Sequence, residues 1–292
     1  HSPAAPNMTT ILALLYSTML SRGHTCPSRC LCPDHHTVDC SGRALTHLPG
    51  PFPLNVRRLL LANNWISWIP SDFLLLYSDL VYLDLRNNSL SQLEPGTLST
   101  PFSRLVFLDL GSNNLTEIPS GSFGESRSLI KLRLGDNPYL SAVGPHAFQG
   151  LSSLRELGLE RNGLSDLDVS ALEPLASLRT LRLEGNPWEC SCRFAKLFAW
   201  LTEHRDKLPT GMEGLECTLP LDGGRVPLSV LSEESFRECR GTLSLADYLI
   251  VIFSGISVSV AAILASFFLA STVHCFQRIS KGGKSDEEEG ND

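Results

Sequence analysis

The chain has 292 residues, 42% of them hydrophobic, and a formal net charge of −7. That length holds one solenoid or two small domains. The acidic balance, with no dense Lys/Arg cluster, argues against nucleic acid as a partner.

Nine cysteines fall into three groups: Cys26, Cys30, Cys32 and Cys40; then Cys190, Cys192, Cys217 and Cys239; then Cys275 alone, beyond an apolar run. Two groups of four around a cysteine-free middle suggest two disulfide caps and an oxidising compartment. Zinc is the alternative. The first group reads Cys-x3-Cys-x-Cys-x7-Cys, which lacks a Cys-x2-Cys pair and a following pair of histidines, so zinc is disfavoured.

Residues 1–25 carry one short apolar stretch, Ile11–Leu20. It suits the apolar core of a signal peptide and is too short to span a bilayer. Residues 1–25 are therefore expected to be a signal-peptide remnant, removed by maturation before Cys26.

Residues 26–55 then form an N-terminal cysteine cap. A pattern of four leucines and an asparagine follows, clearest at Leu80-x-x-Leu83-x-Leu85-x-x-Asn88-x-Leu90. It starts at Val56, Leu80, Leu105, Leu129, Leu154 and Leu178, with asparagines at Asn64, Asn88, Asn113, Asn137, Asn162 and Asn186. The intervals are 24 or 25 residues. This is the leucine-rich repeat, and residues 56–186 read as six of them. Alternation at the fourth and sixth positions makes a short strand with an apolar inner side. The asparagine turns inward and satisfies backbone groups that would otherwise be buried unpaired. Stacked repeats bury a continuous core. The fold class expected is an α/β solenoid, a horseshoe closed by a cap at each end. Repeat four departs from the pattern: Asn137-Pro138-Tyr139-Leu140 inserts one residue before the closing leucine, read as a local bulge.

Residues 187–240 form the C-terminal cap. Phe194, Leu197, Phe198 and Leu201 recur at helical spacing, an amphipathic helix seated on the last repeat. Trp188 and Trp200 are expected in its core. Both ends resemble the cysteine caps of leucine-rich-repeat proteins. That resemblance implies Cys26–Cys32 and Cys30–Cys40 at the front, where spacing alone leaves three connectivities open. It implies Cys190–Cys217 and Cys192–Cys239 at the back.

After a lead at 241–248, residues 249–273 run 25 residues without a charge, long enough to span a membrane. Within this span Ser257, Ala261 and Ala265 recur every fourth residue, with Gly255 and Ser259 read as lying beside them. Such a stripe lets another helix approach closely. The tail, 274–292, carries Arg278, Lys281 and Lys284 before an acidic run ending in Asp286–Glu289. The disulfide caps place the repeats outside the cell and the tail in the cytosol. Cys275, at the inner membrane edge, is a candidate for lipidation.

The Ser, His and Asp/Glu residues are scattered over turns and caps and the histidines show no ligand spacing, so neither an enzyme, a metal site nor a cofactor is expected. Two sequons, Asn87-Asn88-Ser89 and Asn114-Leu115-Thr116, make Asn87 and Asn114 candidate glycan acceptors, Asn114 the better placed. The outward strand positions bring together Val81, Tyr82, Val106, Phe107 and Ile130, an apolar patch rimmed by Arg57, Arg58, Lys131 and Arg155. Such a patch suggests an extracellular protein ligand.

A signal, two four-cysteine caps, six repeats, one span and a short tail together resemble the γ auxiliary subunits of the large-conductance calcium- and voltage-activated potassium (BK) channel. The more specific parts are Leu231-Ser-Glu-Glu-Ser-Phe-Arg-Glu-Cys239, the lead Leu243-Ser-Leu-Ala-Asp247-Tyr248, and the basic-then-acidic tail. The resemblance implies the BK pore-forming subunit as partner, within the membrane lipid, and a shift of activation to less positive voltage. It assigns that effect to the span and to Arg278, Lys281 and Lys284. Because the cations are spaced and followed by acids, the effect expected is weak. A cell-adhesion or synapse-organising receptor and a ligand-presenting co-receptor are the alternatives.

Overall fold

The computed structural model describes residues 26–71, 73–94, 104–124, 126–220, 223–239 and 245–282. The expected signal remnant, Lys284 and the acidic run lie outside these residues. The chain divides into two units, residues 1–236 and 237–292.

The first unit is the solenoid. Strands β3 (Arg58–Leu60), β4 (Tyr82–Asp84), β5 (Phe107–Asp109), β7 (Lys131–Arg133), β9 (Glu156–Gly158) and β10 (Thr180–Arg182) each open two residues after a repeat start. They pair in parallel because every turn runs in the same direction. The front of the sheet is extended by a hairpin, β1 (Leu31–Asp34) and β2 (Thr37–Asp39), with β2 parallel to β3. Inside, the fourth-position leucines Leu59, Leu83, Leu108, Leu132, Leu157 and Leu181 are all buried. The second halves of the repeats are short: α1 (Phe73–Leu76), β6 (Glu117–Ile118) paired with β8 (Ala142–Val143), and a 3-10 turn at Val169–Ala171. Phe123 and Phe148 fill the space under two of them, ring centroids 6.1 Å apart.

The asparagines hold the turns together. Asn113 Nδ2 donates to the carbonyls of Leu85, Leu110 and Gly111 at 3.0, 3.0 and 3.1 Å, and its Oδ1 accepts the Leu90 N–H at 3.0 Å. Each bond replaces water lost on stacking, which explains why an amide is tolerated in a leucine core. The residue before each asparagine, Asn63, Asn87, Ser112, Asp136, Arg161 or Gly185, has a positive φ. That left-handed step turns the next side chain inward.

The extra residue in repeat four does bulge. Tyr139 is pushed out to 63% exposure while Asn137 and Leu140 stay buried. The Leu140 N–H bonds back to the Asn137 carbonyl at 2.9 Å, and the Asn137 N–H takes Asn162 Oδ1 at 2.7 Å. In the turns before it that oxygen serves the N–H of the closing leucine or isoleucine, as Asn88 does for Ile66, and in the turn after it Asn186 Oδ1 serves both Asn162 and Leu164.

Both ends are capped. Disulfides join Cys26–Cys32, Cys30–Cys40 and Cys190–Cys217, and Cys192 and Cys239 are each disulfide-bonded. Behind the last repeat, β11 (Trp188–Glu189), β12 (Glu216–Thr218) and β13 (Arg225–Pro227) form a small sheet beside α2 (Phe194–Glu203). Phe194, Leu197, Phe198 and Leu201 are the buried face of α2. Trp188 is buried, its Nε1–H donating to the Leu183 carbonyl at 3.1 Å. Trp200 corrects the expectation. It is only half-buried and stacks on His204, ring centroids 4.1 Å apart. One residue before Leu201, it is turned about 100° away from that buried position.

The second unit contains α3, Leu245–Gly282, a 38-residue helix. Its apolar part, Leu249–Arg278, is 30 residues long, and its most apolar 18-residue window has a mean hydropathy of 2.4. The helix thus runs past both ends of the 249–273 stretch, and no proline interrupts it between Leu245 and Gly282.

Candidate functional site

Two surfaces carry the sequence-derived candidates: the outer face of the solenoid sheet and the apolar helix.

On the sheet, register fixes the neighbours. Arg58, Tyr82, Phe107, Lys131, Glu156 and Thr180 form one row. Leu60, Asp84, Asp109, Arg133, Gly158 and Arg182 form a second. The Tyr82 and Phe107 rings stack at 4.2 Å, tilted by 2°. The Arg58 guanidinium lies 4.9 Å from the Tyr82 centroid and that of Arg133 lies 5.5 Å from the Phe107 centroid. Cations over ring faces are attracted by the ring quadrupole, so two arginines bracket two rings.

Val81, Val106 and Ile130 occupy a separate row, one residue before the strands, and are half-buried. The expected patch is therefore two rows, and guanidiniums lie over its rings. Lys131 is not a free rim charge; it pairs with Glu156. Arg133, from the second row, takes a place that the sequence reading gave to no residue. Arg133 also reaches Asp109 at 3.4 Å. Burial, and then the Asp84 and Asp109 carboxylates, push the Tyr82 hydroxyl above its ordinary pKa. Burial likewise raises Asp84, against the Arg86 N–H that bonds its carboxylate.

Beyond the rings the sheet is polar. A hollow of about 300 Å³ is lined by Arg86, Asp109, Lys131, Arg133, Glu160 and Arg161, among others. Gly135 and Gly158 make room there for Glu160, whose carboxyl lies 2.8 Å from where a Cβ on either would sit. Arg161 clamps Asp136 through two bonds of 2.6 and 2.8 Å. That clamp holds the Asp136 carboxyl below its usual range. Of the charged side chains here, Lys131 pairs with Glu156, Arg133 with Asp109 and Arg161 with Asp136, while Glu160 Oε2 is buried without a partner. Among the described residues there is no group of His, Cys, Asp and Glu that could hold a metal ion.

The sequons differ. Asn87 is exposed but donates to Asn63 Oδ1 at 2.8 Å, from a backbone with φ 55°. Asn114 is exposed, and its amide makes no side-chain hydrogen bond among the described residues.

The helix corrects the small-residue stripe. At 100° per residue, Ser257, Ala261 and Ala265 share one side. Gly255 and Ser259 fall on the opposite side, continued by Ala262 and Ser266. The five candidates therefore form two small faces, and Ala262 and Ser266 are members that a count of every fourth residue from Ser257 misses. Ser259 bonds its own helix, Oγ to the Gly255 carbonyl at 2.9 Å, and Ser266 bonds Ala262 in the same way. With their hydroxyls satisfied internally, both present a smooth surface. Cys275 is free and exposed, and Arg278 ends the apolar part.

These surfaces belong to a leucine-rich-repeat solenoid followed by one helix fit to cross a membrane. Models of the leucine rich repeat match residues 79–100, 103–164 and 127–187. The crystal structure of a TLR13–ssRNA13 complex superposes with a TM-score of 0.50 at 27% identity, covering 55% of this chain and 23% of that one. Such folds are typical of non-enzymatic proteins. Leucine-rich repeat-containing protein 38 of Mus musculus is 50% identical over 93% of this chain and 90% of its own. Protein 55 of the mouse is 42% identical over 91% and 88%, and protein 52 of the mouse 35% over 93% and 86%. The chain belongs to their family, the leucine-rich-repeat γ auxiliary subunits of the BK channel.

Proposed function

We propose that the chain is a single-pass type I plasma-membrane protein that modulates the BK channel. It binds the pore-forming subunit through α3 and shifts activation weakly to less positive voltage. The main support is the extent of the likeness: 271 aligned residues exceed the 236-residue first unit, so the 50% identity runs into the region of the apolar helix. The repeats lie outside the cell with glycans on Asn114 and Asn87, Cys192 pairs with Cys239, Cys275 is lipidated, and the tail lies inside.

The mechanism is differential binding. A helix that bound activated and resting voltage sensors equally would shift nothing. Couplings between sites are of the order of 1–3 kcal/mol, and one charge moved through 100 mV is worth about 2.3 kcal/mol. A coupling at the low end therefore corresponds to tens of millivolts. Either small face can seat against a channel helix. Arg278, Lys281 and Lys284 raise the local cytosolic potential, and Asp286–Glu289 partly cancel them.

Coexpression with the BK pore subunit under patch clamp tests this. The expected outcome is a shift of the conductance–voltage curve to less positive potentials, enlarged when Asp286–Glu289 are replaced by alanine. An unshifted curve at every calcium level, with no co-purification, overturns it.

A further inference from the structure

We infer that the border of the concave sheet binds an extended, acidic segment of a partner protein, with carboxylates about six residues apart around an apolar or aromatic middle. The row one residue before the strands reads Arg57, Val81, Val106, Ile130, Arg155 and Arg179. It is continuous: each N–H from Val81 to Arg179 bonds the carbonyl of the residue before it in the row, at 2.8–2.9 Å. Beside it runs the row that begins Arg58, Tyr82, Phe107. Together the twelve positions hold five cations and one carboxylate, in a chain of net charge −7.

The cations that matter are uncommitted. Lys131 is neutralised by Glu156. Arg57, Arg58, Arg155 and Arg179 are exposed, and none makes an ion pair or a side-chain hydrogen bond among the described residues. Arg58 only rests on the Tyr82 ring, which leaves its N–H edge open. Two guanidiniums thus stand at the first turn and two at the fifth and sixth, with three half-buried aliphatic residues and two stacked rings between them.

That arrangement dictates the ligand. Guanidinium takes carboxylate through paired, charge-assisted bonds. Adjacent parallel strands lie about 4.8 Å apart, so four steps separate the two ends by about 19 Å. An extended chain rises about 3.3 Å per residue, which sets the acids about six positions apart, with about five residues between them. The middle of the segment must be uncharged, because Asp84 and Asp109 lie on the far side of the rings and would repel a carboxylate there. A sulfated polysaccharide, charged at every unit, has no use for the apolar centre.

The test uses the full chain in nanodiscs of phosphatidylcholine. The probes are fluorescein-labelled peptides with two Glu pairs separated by two to ten Val/Phe residues, and the same set with Gln for Glu, read by anisotropy. Affinity should peak near five intervening residues and fall about tenfold or more in the Gln set. R57E with R58E, or R155E with R179E, should each cost about tenfold, as should Phe107→Ala. Unchanged melting of these surface variants separates lost binding from lost folding, and Arg→Gln at the same positions is the milder control. Equal binding of the Glu and Gln sets, or affinity without a spacing optimum, overturns the inference. So does a heparin oligosaccharide that displaces the peptide and binds independently of Phe107. The readout needs no channel, so it stands or falls apart from the proposed function.

Discussion

The solenoid and the terminal helix are both rich in leucine, valine, isoleucine and phenylalanine, and they dispose of them in opposite ways. In the repeats the leucines at the first, fourth and sixth positions are buried against the neighbouring turn, with a bonded asparagine among them. On α3, Phe267, Phe268 and Leu269 are exposed in succession, and the apolar surface runs all the way round. The difference shows what each surface is built against. The solenoid answers to water: the polar groups it buries are mostly bonded within the protein, Glu160 Oε2, Asp166 Oδ1 and Glu184 Oε2 being exceptions. The helix satisfies its backbone internally and leaves its side chains for a solvent that is itself apolar.

The largest expected effect is on the solenoid side. Asn113→Ala would strand the carbonyls of Leu85, Leu110 and Gly111 and the Leu90 N–H in the core. At roughly 1–3 kcal/mol per buried unpaired group, the loss should reach about 3 kcal/mol or more, read as a lowered melting temperature. A melting point within a degree of the parent would mean that water enters the turns and that the contrast with the helix is weaker than described.

On the helix side, Leu264→Arg, near the middle of the 249–278 stretch, should cost about 2.5–3.5 kcal/mol of insertion. The check is resistance to alkaline extraction from membranes. A variant as resistant as the parent would mean that the helix is not held by its apolar surface.

The smallest effect lies on the solenoid's wet face. Arg161→Ala breaks the clamp on Asp136, whose two side chains are 57% and 43% exposed. Solvent screening limits the cost to about 1 kcal/mol or less. Its pH dependence has a definite sign. The clamp lowers the carboxyl's folded pKa, so its contribution is present above the unfolded value of about 3.9 and is lost as pH falls through the lower folded value. Parent and variant should therefore converge in melting temperature below about pH 4. A difference that persists at pH 2 would point to packing by the Arg161 stem instead.

The period of 24 or 25 residues placed every main strand, because the leucine and asparagine positions obey one geometric rule. Diagonal contacts obey no such rule. Arg133 covers Phe107 from two positions along the next strand, and only the twisted sheet brings them together. The same limit applies to Lys131, which looks free in a linear list and is spent on Glu156. The placement of Gly255 and Ser259 differs for a simpler reason: two residues along a helix is about 200° of rotation, so Gly255 lies across from Ser257 rather than beside it. Trp200 was read by residue type, while its place on α2 turns it to the edge of the buried stripe.

The left-handed step before each ladder asparagine has one more effect. It leaves Asn63, Asn87, Ser112, Asp136, Arg161 and Gly185 in a column that no core contact constrains, since none of the six is buried. Residues about 24 apart in the chain become next-door neighbours there, and they already interact as a polar pair, Asn63 with Asn87, and a charged pair, Asp136 with Arg161. The column is thus free to vary among the residue types that a positive φ tolerates. Homologous proteins can rewrite it turn by turn, changing what the solenoid displays while the buried frame beneath stays the same.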